Sequence, residues 1–192
     1  MFLILYETFI YVAKMQHMTV SKLRANLCVV VISAVATFAF MGVVLLLHGG
    51  FVRGEREHIW LLTSLLAGMV LHELLHGLGY RVWGKLGWED MRFGISFKGL
   101  MLYCHAKRPM ILKAYRRSLS LPVLVTGFLP SVLLVWFPHL WLILYCGLMV
   151  GAGAGDLMVL ARLRKMGGNV LVQDHPSEVG CYVCGPGTGI AS

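Results

Sequence analysis

The chain has 192 residues, of which 58% are hydrophobic and only 14% charged, whereas charged residues approach about a quarter of a soluble globular domain. This composition excludes an ordinary soluble domain and indicates an integral membrane protein. The formal net charge of +8 comes from basic residues in the loops between apolar runs. Membrane topology and lipid headgroups account for such loops, so we expect no nucleic-acid partner.

The amino-terminal segment, residues 1–24, begins with MFLILYETFIYVAK. It has no basic leading region and no small-residue cleavage site, so it does not resemble a removable signal peptide. We expect an interfacial segment, helical where it is apolar.

Four apolar runs follow, at residues 25–47, 59–80, 119–137 and 140–160. Each is long enough to cross a hydrocarbon core of about 30 Å as a helix. Charged residues cluster between the runs and do not alternate with apolar ones, which favours helical spans over a membrane barrel.

The segment 81–117, between the second and third runs, is strongly basic, and its core RFGISFKGLMLY alternates enough to predict a β-hairpin turning near Lys98-Gly99. The predicted fold class is therefore an all-α membrane protein with about four transmembrane helices and a small β-hairpin between the second and third spans. Residues 25–165 form one integral membrane domain, and residues 166–192 form a carboxy-terminal tail.

Basic residues precede the first span, follow the second and follow the fourth. A four-span count places all of them on one side of the membrane, and the positive-inside rule makes that side cytoplasmic. We therefore expect a multi-pass protein of the cell membrane with cytoplasmic amino and carboxyl termini.

The second run contains His72-Glu73-Leu74-Leu75-His76. Two histidines four residues apart project from one helix face, about 40° apart, and can share one zinc ion. Glu73 points to the neighbouring face, where it can take a proton from a water without being a ligand. The alternative is an ordinary buried cluster, but three strongly polar groups at membrane depth need compensation.

A zinc site needs a third protein ligand, and Asp156 is the acidic residue inside a later apolar run, GLMVGAGAGDLMVL. At about 1.5 Å per residue, counted from Ile59 and Leu140, His72 and His76 lie roughly 20 and 26 Å deep and Asp156 roughly 24 Å. Small residues around both sites favour close approach of the two helices. Alternatively, Asp156 pairs with Arg162 or caps a broken helix.

Three other features stay open. His105 is the substitute third ligand, although it lies in the predicted hairpin. The Asp174-His175-Pro176 segment is typical of a turn, and a gating or substrate role is the alternative. Cys181 and Cys184 can bind metal or cycle redox state, but a lone pair is more typical of reduced thiols.

The LHELLHG helix, the basic hairpin, YRRSLSLP, the aspartate in AGDLMVL and the trailing DHPSEVG resemble the small zincin peptidases of bacteria over most of residues 59–180. These are similar to site-2-protease-type intramembrane metalloproteases. The resemblance implies that His72, His76 and Asp156 bind one Zn²⁺ and that Glu73 is catalytic. The flanks of Asp156 differ from the Asn-Pro or Leu-Asp-Gly setting usual in those enzymes.

The leading hypothesis is an intramembrane zinc metalloendopeptidase of the His-Glu-x-x-His type that hydrolyses membrane-embedded or membrane-proximal polypeptides near the cytoplasmic face. Its partners are a membrane protein or peptide substrate and the lipid bilayer. The alternative is a non-proteolytic zinc-binding membrane regulator or adaptor, which would tolerate loss of the Glu73 carboxylate. A purely structural four-helix membrane protein would tolerate loss of both histidines.

Overall fold

The computed structural model describes residues 16–96, 101–175 and 178–186. Two long helices come first, α1 (Lys22–His48) and α2 (Glu57–Val82). A third, α3 (Leu112–Val135), is followed by α4 (Leu140–Ala152) and α5 (Ala154–Leu163). The helix α1 ends because Gly49 adopts a left-handed φ of 72° and donates its N–H to Leu45, a conformation that glycine adopts without steric cost.

Helix α3 changes its winding along its length. It is α-helical over Leu112–Pro122, π-helical over Val123–Phe128 and 3₁₀-helical over Val132–Val135. Pro130 lacks an N–H, and its ring excludes the carbonyl four residues earlier from a normal helical turn. The wider turn that precedes Pro130 accommodates this conflict.

Helices α1, α2 and α3 are each long and apolar enough to cross a membrane, whereas α4 and α5 form a pair bent by 42° at a short break. Their outer surfaces carry exposed apolar side chains, among them Leu46 at 88% and Phe38 at 71% exposure. Such a surface is consistent with a lipid environment. The predominance of helices is confirmed, three of them are long and apolar enough to span a membrane, and the fourth span stays a prediction.

Two strands, β2 (Met91–Ser96) and β3 (Met101–Ala106), pair in antiparallel register between α2 and α3. The turn expected near Lys98-Gly99 lies outside the described residues. Lys107 donates its N–H to Asp90 on the β2 side. Because N–H groups alternate in direction along a strand, the N–H groups of Leu102, Cys104 and Ala106 point away from β2.

A second, four-stranded antiparallel sheet corrects the all-α class. Its order is β1-β6-β5-β4, with β1 (Gln16–Val20), β4 (Met110–Ile111), β5 (Val170–Asp174) and β6 (Val179–Pro186). The short strands come from three distant chain segments, so no local sequence pattern predicts their pairing. Residues 16–20 are thus a strand and not helical, while the expected apolar helix before them falls on residues 1–15, which the structure does not describe.

Glycines bring the helices close together, but not always with the expected partner. Gly151 lies on α4 against α1, where an added Cβ would come within 2.8 Å of Ser33 Cβ. Gly79 of α2 faces Ser118 of α3 at the same distance, and Gly68 of α2 faces Tyr145 of α4. Gly68 thus meets the expected partner helix, whereas the glycines before Asp156 pack on α1, α3 and β6.

The starts of α2 and α4 are joined by one side chain. Glu57 Oε2 accepts the backbone N–H of Trp141 at 3.1 Å, and Glu57 Oε1 lies 3.2 Å from Nδ1 of His139. A carboxylate at a helix amino terminus satisfies a free N–H and interacts favourably with the helix dipole. This contact aligns the first turns of the two helices.

The close crossing of α1 and α4 predicts that Gly151→Ala destabilises the protein by about 1–3 kcal/mol, because the new methyl group overlaps Ser33 and overpacking costs this much. Thermal unfolding in detergent measures the effect. Gly42→Ala on α1 is the matched control, since an added Cβ there meets nothing within 4 Å. Equal melting temperatures for the two variants would contradict the close crossing.

Candidate metal centre

The two histidines of α2 lie side by side on its buried face. His72 and His76 are each 6% exposed, and their ring centroids are 5.1 Å apart. Glu73 is half-buried, and one potential ligand atom from each of these three residues lies within 4.8 Å of the others. The helix thus presents two imidazoles and an adjacent carboxylate to the same small region.

Asp156 reaches this region from the first turn of α5. Its Oδ2 lies 3.2 Å from His72 Nε2 and 3.4 Å from His76 Nε2. The helix breaks at Gly153, and α5 restarts at an angle that turns the first-turn aspartate toward α2. The structure therefore brings together His72, His76 and Asp156, the three residues chosen from the sequence as ligands. Their role as ligands stays a prediction.

The distances from Asp156 Oδ2 to the two histidine nitrogens fit a shared metal ion. Charge-assisted hydrogen bonds between nitrogen and a carboxylate are typically about 2.7–2.9 Å, shorter than both observed distances. Two ligands of a tetrahedral zinc, each bonded at about 2.0–2.2 Å, lie about 3.3–3.6 Å apart. Two imidazoles and one carboxylate are also a ligand set that zinc accepts.

Either carboxylate can in principle complete the set. Glu73 belongs to the group within 4.8 Å, but one oxygen of Asp156 contacts both histidine Nε2 atoms at 3.4 Å or less. These distances favour Asp156 over Glu73 as the third ligand, and that assignment stays a prediction. Zn²⁺, two neutral imidazoles and two carboxylates also sum to zero formal charge, which lowers the cost of burial.

The orientation of His76 is fixed by a neighbouring helix. Its Nδ1 lies 3.2 Å from the backbone oxygen of Ser118 on α3. Donation from Nδ1 to this carbonyl leaves the Nε2 lone pair free for a metal, as in most histidine–metal sites. The contact depends on Gly79, because any side chain there would push Ser118 away. Neither Ser118 nor Gly79 could be assigned this role from a motif.

The hairpin covers the site. The ring of Phe93 packs against α2 at Gly77, directly after His76. The backbone N–H of Cys104 is directed at the Glu73 carboxylate. The outward edge of β3 therefore lies beside Glu73, and the hairpin forms one wall of the candidate centre.

The remaining candidate residues lie elsewhere. His105 lies on β3, and its role as a substitute ligand stays a prediction. Arg162 donates to the backbone oxygen of Thr19, whereas Asp156 meets the histidines. Cys181 and Cys184 both lie in β6, where Cys181 is buried and Cys184 is partly exposed. A metal-binding or redox role for the pair stays a prediction.

Asp174 is more deeply placed than a turn residue. It is the last residue of β5, is 8% exposed, and accepts hydrogen bonds from Tyr115 and from the N–H of Ala106. Burial raises the pKa of Asp174, and these two donors oppose the shift. Pro176, which completes the expected turn, lies outside the described residues.

The arrangement predicts about one zinc per chain in the wild-type protein and in Glu73→Gln, and its loss in His76→Ala and Asp156→Ala. Elemental analysis of detergent-purified protein after extensive washing measures it. The Gln variant is the matched control, because it changes a carboxylate beside the site without removing a proposed ligand. An unchanged zinc content in all three variants would contradict the prediction that His76 and Asp156 bind the metal.

Comparison with known proteins gives one match. The model of a family described as "Putative zincin peptidase" matches residues 65–171, a segment that contains both histidines, Glu73, the hairpin and Asp156. A search of curated proteins and a search of solved structures found no significant match. The family match covers more than half of the chain and implies zinc as the metal. The chain therefore belongs to this zincin peptidase family.

Proposed function

We propose that the protein is an intramembrane zinc metalloprotease that hydrolyses peptide bonds of membrane-embedded or membrane-proximal substrates near the cytoplasmic face. The observation that carries the proposal is the contact of Asp156 with both His72 and His76 inside apolar helices, with Glu73 beside them. Polar groups buried at membrane depth are costly, and a catalytic metal centre accounts for all four together.

The chemistry follows from the positions of the side chains. Bound zinc would polarise the scissile carbonyl and make a water more acidic. Glu73, which is not needed as a ligand, accepts a proton from the attacking water and delivers it to the leaving amine. His72, His76 and Asp156 hold the metal, and the Ser118 carbonyl keeps the His76 ring in its productive orientation.

The four-stranded sheet supports a four-span topology. It combines β1, which precedes α1, with β4, which follows α2, and with β5 and β6, which follow α5. Strands of one sheet lie on one side of a membrane, so the chain must cross an even number of times between them. The bent α4–α5 pair would be the fourth span, and the basic loops would place the sheet in the cytoplasm.

Substrate recognition would use the outward edge of β3. A transmembrane helix must unwind before its peptide bonds become accessible, and an extended segment can then pair with a free strand edge. The N–H of Leu102 points away from β2 and lies two residues before Cys104, whose own N–H is directed at Glu73. A substrate strand paired there would pass next to the proposed base.

One observation favours the second candidate, a zinc-binding membrane regulator without proteolytic activity. Both histidines are almost fully buried, and Phe93 packs on the helix beside them. A closed site of this kind can hold zinc without turnover. A regulator would keep its function when the Glu73 carboxylate is replaced, whereas a protease would not.

Glu73→Gln separates the two candidates. We expect it to keep zinc and to lower turnover of an internally quenched peptide by a factor on the order of 10² to 10⁴, the range that general acid–base catalysis contributes. Glu89→Gln, which also neutralises a carboxylate but outside the site, is the control and should retain full activity. Equal turnover by Glu73→Gln and wild type would favour the regulator.

Edge pairing predicts that Leu102→Pro raises the KM for the same peptide about tenfold, because proline removes an outward N–H from the strand. Leu102→Ala truncates the side chain but keeps that N–H and should leave KM within about twofold. Steady-state kinetics of both variants provide the measurement. If the alanine variant were impaired as much as the proline variant, the side chain and not the strand edge would bind substrate.

A further inference from the structure

Asp174 joins three elements that surround the metal centre. Its Oδ1 accepts the hydroxyl of Tyr115 on α3 at 2.7 Å, and its Oδ2 accepts the N–H of Ala106 on β3 at 2.9 Å. The hydroxyl of Tyr80 on α2 also interacts with it. A single buried carboxylate at the end of β5 thus contacts the histidine helix, the next helix and the hairpin.

The contact with Ala106 bears directly on the strand edge. Ala106 and Cys104 are two residues apart, so their N–H groups leave the same side of β3. The N–H of Cys104 is directed at Glu73, and the N–H of Ala106 is bound by Asp174. Asp174 therefore anchors β3 at a fixed position relative to Glu73, and it occupies the edge where a longer paired strand would continue.

The two tyrosines extend the contact to a candidate ligand. The ring of Tyr80 lies parallel to that of Tyr115, with centroids 6.2 Å apart and 3° between planes, and it stacks on His76 at 6.2 Å and 22°. Both tyrosine rings are almost fully buried. The anchor thus reaches the centre through α2 as well as through the hairpin.

A purely structural account of this carboxylate is incomplete. Desolvation makes a buried carboxylate expensive, and an apolar residue of similar volume often stabilises a protein core equally well. The chain nevertheless keeps an acid at this point, where its two oxygens join β3 and α3. The desolvation cost of the Asp174 carboxylate is explained if the function of the site requires a fixed position of β3.

We propose that Asp174 is a positioning residue that holds the outward edge of β3 beside Glu73 and ends that edge at Ala106, so that it sets the register of an extended substrate. This inference rests on the proposed function and deepens it. Asp174 would touch neither the metal nor the reacting atoms, and it would act through the backbone of the hairpin.

Two variants and a control test the proposal in the full-length protein. Asp174→Asn removes the charge, and Tyr115→Phe removes a single hydroxyl while leaving Asp174 in place. Gln173→Ala is the matched control, because Gln173 lies next to Asp174 on the same strand and bonds the same end of the hairpin, through the Lys107 carbonyl. Zinc content, amide hydrogen exchange over residues 101–107, and kcat and KM for the quenched peptide are measured for each.

We expect both variants to keep one zinc per chain, to exchange the amides of 101–107 about tenfold faster than the control, and to raise KM about tenfold with kcat within about threefold. Amide exchange rates and KM values equal to those of Gln173→Ala would overturn the proposal. So would loss of zinc or of kcat with KM unchanged, since either would make Asp174 part of the centre itself. If Asp174→Asn does not fold, Tyr115→Phe decides.

Failure of the proposed function and failure of the positioning role of Asp174 give different experimental results. If the wild-type protein binds zinc but cleaves no peptide, or if Glu73→Gln cleaves normally, the proposed function fails, and with it the role of Asp174 in setting a substrate register. If turnover depends on Glu73 but neither amide exchange nor KM changes in Asp174→Asn and Tyr115→Phe, the proposed protease function is retained and the positioning role is wrong.

Discussion

The fixed axial alignment of α2 with the α4–α5 pair is the constraint on which the candidate centre depends. Glu57 joins the first turns of α2 and α4 through the N–H of Trp141. His72 lies 15 residues after Glu57, and Asp156 lies 15 residues after Trp141. At about 1.5 Å per residue both side chains lie about 22 Å from that contact. A shift of one turn in either helix would separate them.

The centre also needs a break in the last helix and close helix contacts. Gly153 interrupts the α4–α5 pair, so that Asp156 occupies a first helical turn, where a carboxylate interacts favourably with the helix dipole. Gly79 lets α3 approach until the Ser118 carbonyl meets His76. The sheet and the hairpin enclose the same end of α2, and Asp174 connects them to it. Packing, electrostatics and metal chemistry therefore specify one arrangement.

The sequence allowed prediction of the features that are local or governed by membrane energetics. The apolar runs predicted the long helices, and the rarity of acids at membrane depth selected Asp156 as the partner of His72 and His76. The depth estimate worked because the outer helix ends are aligned. The four-stranded sheet was missed because its short strands pair across the whole chain. Asp174 was assigned to a turn because burial and hydrogen-bond partners depend on tertiary structure.

X-ray absorption spectroscopy of the zinc-loaded protein tests whether His72, His76 and Asp156 hold the metal. Ligation by these residues predicts a first shell of about four nitrogen and oxygen atoms at about 2.0–2.2 Å, with outer-shell scattering from two imidazoles and no sulfur. Replacing Asp156 with Ala should change this shell or abolish binding. A zinc–sulfur distance of about 2.3 Å would place the metal on cysteines and contradict ligation by these three residues.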